Sequence, residues 1–293
     1  MSTRHEERTV LITGASSGIG LATARLLTSI GHEVWGTARE VHRLPAMERF
    51  HPVRIDLNDT ASIRSGFRQA EQEAGEISVL INNAGNVING PLEALAAEAL
   101  QSQMETLFLG PLELMRLALP GMRRRNTGII INVTSLAGRF PIPFNAGYSS
   151  AKAALSVATE CLCLELTGTE IRVVDLQPGD IATNILRRTR MLRGPVCEAY
   201  EPNRGQSRMA EEEKFGTAPE PGVAAHVILG LLRDSSPAPV VTVGSFFEAR
   251  LAPFAGRLLP RRAIQGAMRY LYGLGRQTSW PALLERMAVK WRA

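Results

Sequence analysis

The chain has 293 residues, 45% of them hydrophobic and 21% charged, with a formal net charge of +5. That is enough apolar material for one large α/β domain or two small ones, and the charge fraction is ordinary for a soluble protein. Three cysteines (Cys161, Cys163, Cys197), two of them two residues apart, argue against a disulfide framework or a zinc site, so no metal is expected and a reducing cytoplasm fits.

Met1 to Arg8 is polar and charged and reads as carrying no secretion signal. No apolar run approaches the roughly 18 residues that a membrane span needs. From Phe246 to the end there are nine Lys or Arg against Glu248 and Glu285 only. The basic character therefore belongs to an appendage, and the first 245 residues are slightly acidic.

Arg8 to Thr13 is an apolar strand pattern that runs into Gly14-Ala15-Ser16-Ser17-Gly18-Ile19-Gly20, followed by helical periodicity from Leu21 to Ile30. Strand, glycine turn and helix together make a phosphate site. Gly14 lets the chain turn off the strand, Gly18 lets backbone approach a pyrophosphate, and Gly20 lets the helix pack closely. The freed amides at the helix start point at the anion.

Glu33 to Ala38 is the second strand. An acidic residue just after it would accept from a ribose 2′-hydroxyl. This chain has Arg39 instead, which suits a 2′-phosphate through charge-assisted bonds, with Ser17 adding a hydroxyl. NADP is thus favoured over NAD, although Glu40 follows directly.

Val53 to Leu57 reads as a third strand, Thr60 to Ala74 as a helix, and Ile77 to Ile81 as a fourth strand ending at Asn82-Asn83-Ala84-Gly85. The asparagines suit either a strand-capping turn or the edge of a ligand crevice. A long helix within Glu98 to Arg124, a strand at Gly128 to Thr134, a helix from Tyr148 to Leu166 and a strand at Ile171 to Leu176 follow. The alternation predicts a doubly wound, Rossmann-like parallel sheet of seven strands with helices on both faces.

Within the Tyr148 helix, Lys152 stands four residues on, which puts phenol and ammonium on one face. A nearby cation favours the phenolate and lowers its pKa, so the pair suits acid–base chemistry. After Gln177 to Thr183 the pattern is less regular, and residues 184–218 suit mobile helices forming a lid. Pro219 to Arg233 reads as a helix and Ala238 to Gly244 as the last strand. The basic extension, 246–293, reads as short helices at Ser245 to Leu258, Pro260 to Leu274 and Trp280 to Trp291. It packs on the catalytic domain (1–245), or its basic amphipathic stretch Arg257 to Tyr272 lies on an anionic membrane surface. The main domain has no basic stripe for nucleic acid.

Thr13 to Gly20, Asp56, Asn82 to Gly85, Ser135, Tyr148 with Lys152, and Pro178-Gly179 with Thr183 stand in the order found in the short-chain dehydrogenase/reductase family. The chain resembles its single-domain branch over about residues 8 to 245. It is most similar to the subgroup of 17β-hydroxysteroid and retinol dehydrogenases and related lipid ketone reductases, through Arg39, the Gly138 to Phe144 stretch and the long tail.

The resemblance implies an NADP-dependent oxidoreductase interconverting a ketone or aldehyde and an alcohol on a lipophilic substrate. It implies that Ser135 donates to the substrate oxygen, Tyr148 transfers the proton and Lys152 holds the nicotinamide ribose and lowers the tyrosine pKa. It implies cofactor contacts at Gly14, Ser16, Ser17, Gly18, Ile19, Gly20, Arg39, Asp56, Leu57, Asn83, Ala84, Gly85, Pro178, Gly179, Ile181 and Thr183. Leu136, Phe140, Pro141, Phe144 and Asn184 are expected in the substrate pocket, and a homo-oligomer, dimer or tetramer, is the family's usual state. One position departs from the family: Leu107 stands where a helix asparagine helps hold a water behind the lysine, and leucine has no hydrogen-bonding side-chain group. Leu107 is the one feature that favours a second reading, a cofactor-binding sensor or scaffold with little catalysis.

Overall fold

The computed structural model describes residues 7–274. The helix expected at Trp280 to Trp291 lies outside the described residues. The strands of the main sheet are β1 (Thr9–Thr13), β2 (Glu33–Ala38), β3 (Phe50–Arg54), β4 (Val79–Asn82), β5 (Thr127–Val133), β6 (Glu170–Pro178) and β7 (Val240–Val243). All pair in parallel, in the order β3-β2-β1-β4-β5-β6-β7.

The central strands carry apolar runs, Val10–Ile12, Val79–Ile81 and Ile129–Ile131, because both faces are covered. Alternation divides their side chains between two cores. Val10, Ile12, Val79, Ile81, Ile129 and Ile131 face one side, and Leu11, Leu80 and Ile130 the other. Helices α1 (Gly18–Ser29), α2 (Thr60–Ala74), α3 (Ala97–Met104), α4 (Gly110–Arg125), α5 (Ala146–Glu165), α6 (Asn203–Gly216) and α7 (Pro221–Arg233) follow in chain order. Ala24 and Leu27 of α1 join Ala224, Ile228 and Leu232 of α7 over the first face. Ile63 and Phe67 of α2, Leu114 and Met122 of α4, and Leu155 and Leu162 of α5 cover the second.

Local chemistry marks the helix ends. The Asp59 carboxylate accepts from the Ala61 amide at the start of α2, and Gly75 ends that helix at φ +72. Arg123, Arg124 and Arg125 sit in the last turn of α4, where the helix dipole favours cations, and left-handed Asn126 closes it.

The third strand departs from its expected position, three residues earlier than Val53 to Leu57. Its register with β2 runs from Val34 opposite Phe50 to Ala38 opposite Arg54 and stops where β2 stops. Pro52 is tolerated because β3 is the sheet edge. Between α3 and α4 the helix widens into a π turn, Glu105–Leu109. The tail forms a second π turn (Phe247–Leu251) and two helices, α8 (Ala252–Leu258) and α9 (Arg261–Leu271).

Between the sheet and the second helical layer lies a buried polar chain. The Asn82 amide donates to Asn132 Oδ1 at 2.8 Å, and the Asn132 amide donates to Thr159 Oγ1 at 2.8 Å. Truncating Asn132, which has no solvent exposure, strands its partners in the core. Asn132→Ala is expected to cost about 2–4 kcal/mol, measured as a lower urea midpoint with unchanged slope. A loss under about 1 kcal/mol would show the chain to be dispensable.

Candidate active site

The site is built at the carboxyl ends of β1, β4, β5 and β6, where strand order reverses and a crevice opens. Thr13 Oγ1 accepts from the amides of Asn83 (2.9 Å) and Ala84 (3.0 Å), and the Asn83 side-chain amide donates back to the Thr13 carbonyl at 2.9 Å. These bonds press the ends of β1 and β4 together. A Cβ on Gly14, which holds φ +71, would sit 2.8 Å from Ala84 Cα. Asn83 thus spends its side chain on the glycine turn. At Gly20 a Cβ would lie 2.4 Å from the Gly14 carbonyl oxygen, so the close packing expected there is present.

A cavity of about 870 Å³ runs from this turn across the strand ends. Every expected cofactor position except Gly20 lines it: Gly14, Ser16, Ser17, Gly18, Ile19, Arg39, Asp56, Leu57, Asn83, Ala84, Gly85, Tyr148, Lys152, Pro178, Gly179, Ile181 and Thr183. The residues present fit a dinucleotide. Gly18 offers bare backbone whose would-be Cβ meets only Thr183, 3.1 Å away. Arg39 lines the cavity beyond β2, and the neighbouring Glu40 carboxylate is engaged by Arg43 at 3.6 Å and His42 at 3.7 Å.

Ser135 follows β5 and starts a short helical turn, its hydroxyl accepting from the Ala137 amide at 3.0 Å and donating to the Pro178 carbonyl at 3.4 Å. Tyr148 faces it from the first turn of α5. Burial pushes the Tyr148 hydroxyl above the ordinary phenol range; the Ser135 hydroxyl works against that and the Asp180 carboxylate adds to it. Lys152 is 4% exposed, and burial brings it down to about 8 against the opposing pull of Asp175. Its ammonium donates to the Val133 carbonyl at 2.7 Å and lies 6.0 Å from the Tyr148 ring centre. The expected lowering of the tyrosine by the lysine is not seen here: burial raises the phenol, and the Ser135 hydroxyl is the group that opposes it.

Among the expected pocket residues, Leu136, Phe140 and Asn184 line the cavity; Pro141 and Phe144 do not. Phe144 adopts φ +63, and its ring packs edge-on against Tyr200, with ring centres 6.1 Å apart, while Pro141 is exposed. Ile142 and Asn145 take their place. Leu107 is fully buried in the π turn and reaches within 3.3 Å of a Cβ placed on Gly85. The π turn thus has an apolar residue at its centre. One turn earlier, Gln103 is fully buried with neither side-chain polar atom hydrogen-bonded among the described residues.

Other wall residues were not foreseen. Glu211 and Lys214 come from α6, Glu248 from the tail's π turn and Tyr272 from the end of α9. Glu248 accepts from the Asp180 amide at 2.8 Å and from Ser245. Burial lifts Asp180 to about 6, with Glu248 adding repulsion, and lifts Glu211 to about 7, with Asp180 adding repulsion. Lys214 is lowered by burial, which outweighs these carboxylates, and its ammonium stands 3.9 Å over the Tyr272 ring. Among the described residues no group of His, Cys, Asp and Glu could hold a metal ion.

Fold and crevice define a dinucleotide-dependent oxidoreductase site. The sequence profile of the short chain dehydrogenase family matches residues 8–192, and the chain belongs to that family; it is an NAD(P)-dependent dehydrogenase or reductase. It is 35% identical to the 3-ketodihydrosphingosine reductase of Bacteroides thetaiotaomicron over 272 residues, covering 90% of this chain and 98% of that protein. Its fold is similar to that of a short-chain dehydrogenase from Streptomyces avermitilis (TM-score 0.76, 27% identity, 92% of this chain and 100% of that one). It is also similar to a Burkholderia cenocepacia short chain dehydrogenase in complex with NADP (TM-score 0.70, 27% identity, 89% and 98% covered).

Glu211 supplies a stability test. Its proton is held more tightly folded than unfolded, so its contribution is complete below the ordinary value of 4.5 and is lost as pH rises through about 7. Melting temperature should fall across that window in the wild type, and Glu211→Gln should flatten the fall and raise the melting temperature at pH 8. An unchanged slope would contradict the buried environment described.

Proposed function

We propose that the protein is an NADPH-dependent ketone reductase acting on a long-chain, lipophilic substrate. The observation that carries this reading is the meeting of Ser135 and Tyr148 in one cavity with the glycine turn and Arg39 at one end and apolar tail residues at the other. When bound, the nicotinamide supplies the hydride. Ser135 donates a hydrogen bond to the substrate carbonyl oxygen and stabilises the charge that develops there. Tyr148 gives its hydroxyl proton to that oxygen, completing the alcohol, and the phenolate left behind is protonated again from solvent. A phenol pushed upward by burial stays protonated at neutral pH, which suits the reductive direction. Lys152 orients the nicotinamide ribose, and its positive charge steadies the transient phenolate. Leu107 adds no hydrogen bond to the return path of the proton.

The similarity to a 3-ketodihydrosphingosine reductase over nearly its whole length supports a long-chain amino ketone. Asp180, Glu211 and Glu248 are carboxylates suited to a polar, amine-bearing head, while Phe140, Leu259, Met268 and Leu271 suit an alkyl chain. The second reading, a non-catalytic scaffold, gains nothing from Leu107, which packs as core.

The tail closes the cavity with one side and exposes Phe246, Phe254 and Leu258 at 76%, 65% and 71% with the other. With Arg261, Arg262 and Arg269 exposed on α9, this supports peripheral contact with an anionic membrane from which such a substrate would come. No helix among the described residues is long and apolar enough to cross a membrane. Val157 and Leu164, exposed along α5, support a homo-oligomer face.

A panel of long-chain ketones with NADPH and NADH, followed by nicotinamide absorbance, tests the reaction. Tyr148→Phe should lower turnover roughly 10²–10⁴-fold and leave NADPH binding intact; undiminished turnover would remove Tyr148 from the chemistry. Arg39→Ala should weaken NADPH by about tenfold or more, the worth of one hydrogen bond to a charged group, and leave NADH unchanged. Equal loss of both cofactors would mean that Arg39 does not read the 2′-phosphate.

A further inference from the structure

Arg188 joins Arg39 and Arg43 at the cationic end of the cavity. After β6 the chain passes through Thr183 into a single helical turn, Ile185–Arg188. That turn is pinned at its C-terminal end. The Thr189 hydroxyl donates to the Ile185 carbonyl at 2.9 Å, and Arg190–Met191 pairs in parallel with Ile88–Asn89, just past β4. The pairing fixes where the lid begins, and Arg188 consequently stands over the first turn of α1. Its Nη1 donates to the Ser17 hydroxyl at 2.9 Å, across 171 residues of sequence.

Arg188 is exposed and solvated, yet the helix end beneath it offers a cation no favourable charge partner. Ser17 is the N-cap residue of α1, yet its hydroxyl makes no capping bond and accepts from the guanidinium instead. The first turn of α1 contains no acidic residue. A helix N-terminus carries partial positive charge and amides without intrahelical acceptors, so it repels a guanidinium and attracts an anion. Among the described residues no carboxylate pairs with Arg188. A cation and a helix N-terminus brought together in this way share a need for negative charge between them.

We infer that Arg188 is a clamp that holds the cofactor's diphosphate against the first-turn amides of α1, and that it thereby draws the lid segment 184–218 over the substrate cavity. The inference rests on the cofactor reading given above. It separates two cationic duties: Arg39 reads the 2′-phosphate that only NADP carries, whereas Arg188 takes the diphosphate common to both cofactors. Ile185 and Leu186 in the same turn line the cavity, so the clamp also shapes the substrate wall and favours binding of cofactor before substrate.

Dissociation constants for NADPH and NADH are measured by protein fluorescence on the full chain and on Arg188→Gln and Arg188→Lys. Amide hydrogen exchange of residues 184–218 is followed with and without each cofactor. Arg188→Gln should weaken both cofactors by the same factor, about tenfold for a lost charge-assisted bond, and abolish the protection that cofactor confers on 184–218. Arg188→Lys should recover part of both, because charge is retained without the planar fork. The clamp is overturned by unchanged affinities, by a loss confined to NADPH, or by full lid protection in Arg188→Gln. A wild-type protein that binds neither cofactor would overturn the underlying cofactor reading, and the clamp with it.

Discussion

The parallel pairing of β1 with β4 is the contact on which the rest of the site depends. Val10, Leu11 and Ile12 lie opposite Val79, Leu80 and Ile81, and this register brings Gly14 against Ala84 and the Asn83 side chain onto Thr13. On either side of this pair the strand order runs in opposite directions, so the connections diverge and leave a crevice. A slip of one residue would turn each of these side chains to the other helical layer and move the glycine turn off Asn83. Fold and cofactor site therefore have a common cause.

The cavity is electrostatically divided. Its glycine-turn end gathers Arg39, Arg43, Arg188 and the free amides of α1; the end near Tyr148 gathers Asp180, Glu211 and Glu248 around Lys214. An anionic cofactor and a substrate head of opposite sign would sort to opposite ends without competing. Between them, burial keeps Tyr148 protonated and brings Lys152 down to about 8, within reach of proton exchange near neutral pH. Asp175, fully buried on β6, accepts from Thr134, from Ser156 at 2.5 Å and from Gln177 at 2.7 Å, and so stiffens the strands that present Ser135.

Much of this was legible in the sequence, for local reasons. Continuous apolar strands, capped helices and a glycine turn are written in adjacent residues, and Ser135, Tyr148 and Lys152 keep a fixed interval because one strand end and one helix carry all three. What escaped depends on distant chain. Glu211 and Lys214 sit in a run, Glu211 to Lys214, that resembles a solvated face, and it is distant chain, Asp180 with Glu248 and Tyr272 of the tail, that surrounds them. For the tail, basic helices packed on the domain were expected, but not that Ile264 and Met268 of Arg261–Leu271 would line the cavity. Phe144 lay in an apolar loop beside the tyrosine, yet its positive φ sends the ring away. Asp175 did have a signal, a lone carboxylate in the apolar run Ile171 to Leu176, of the kind that is retained only when hydrogen-bonded.

The cleft is proposed to move a hydride onto a ketone carbon while Tyr148 supplies the proton. The most direct measurement is isotopic: NADPH deuterated at nicotinamide C4 is incubated with the protein and a long-chain amino ketone, and the product is examined by mass spectrometry and NMR. Deuterium on the carbinol carbon in the wild type, and almost none formed by Tyr148→Phe, is the predicted result. Tight NADPH binding with no deuterated alcohol from any long-chain ketone would contradict the account.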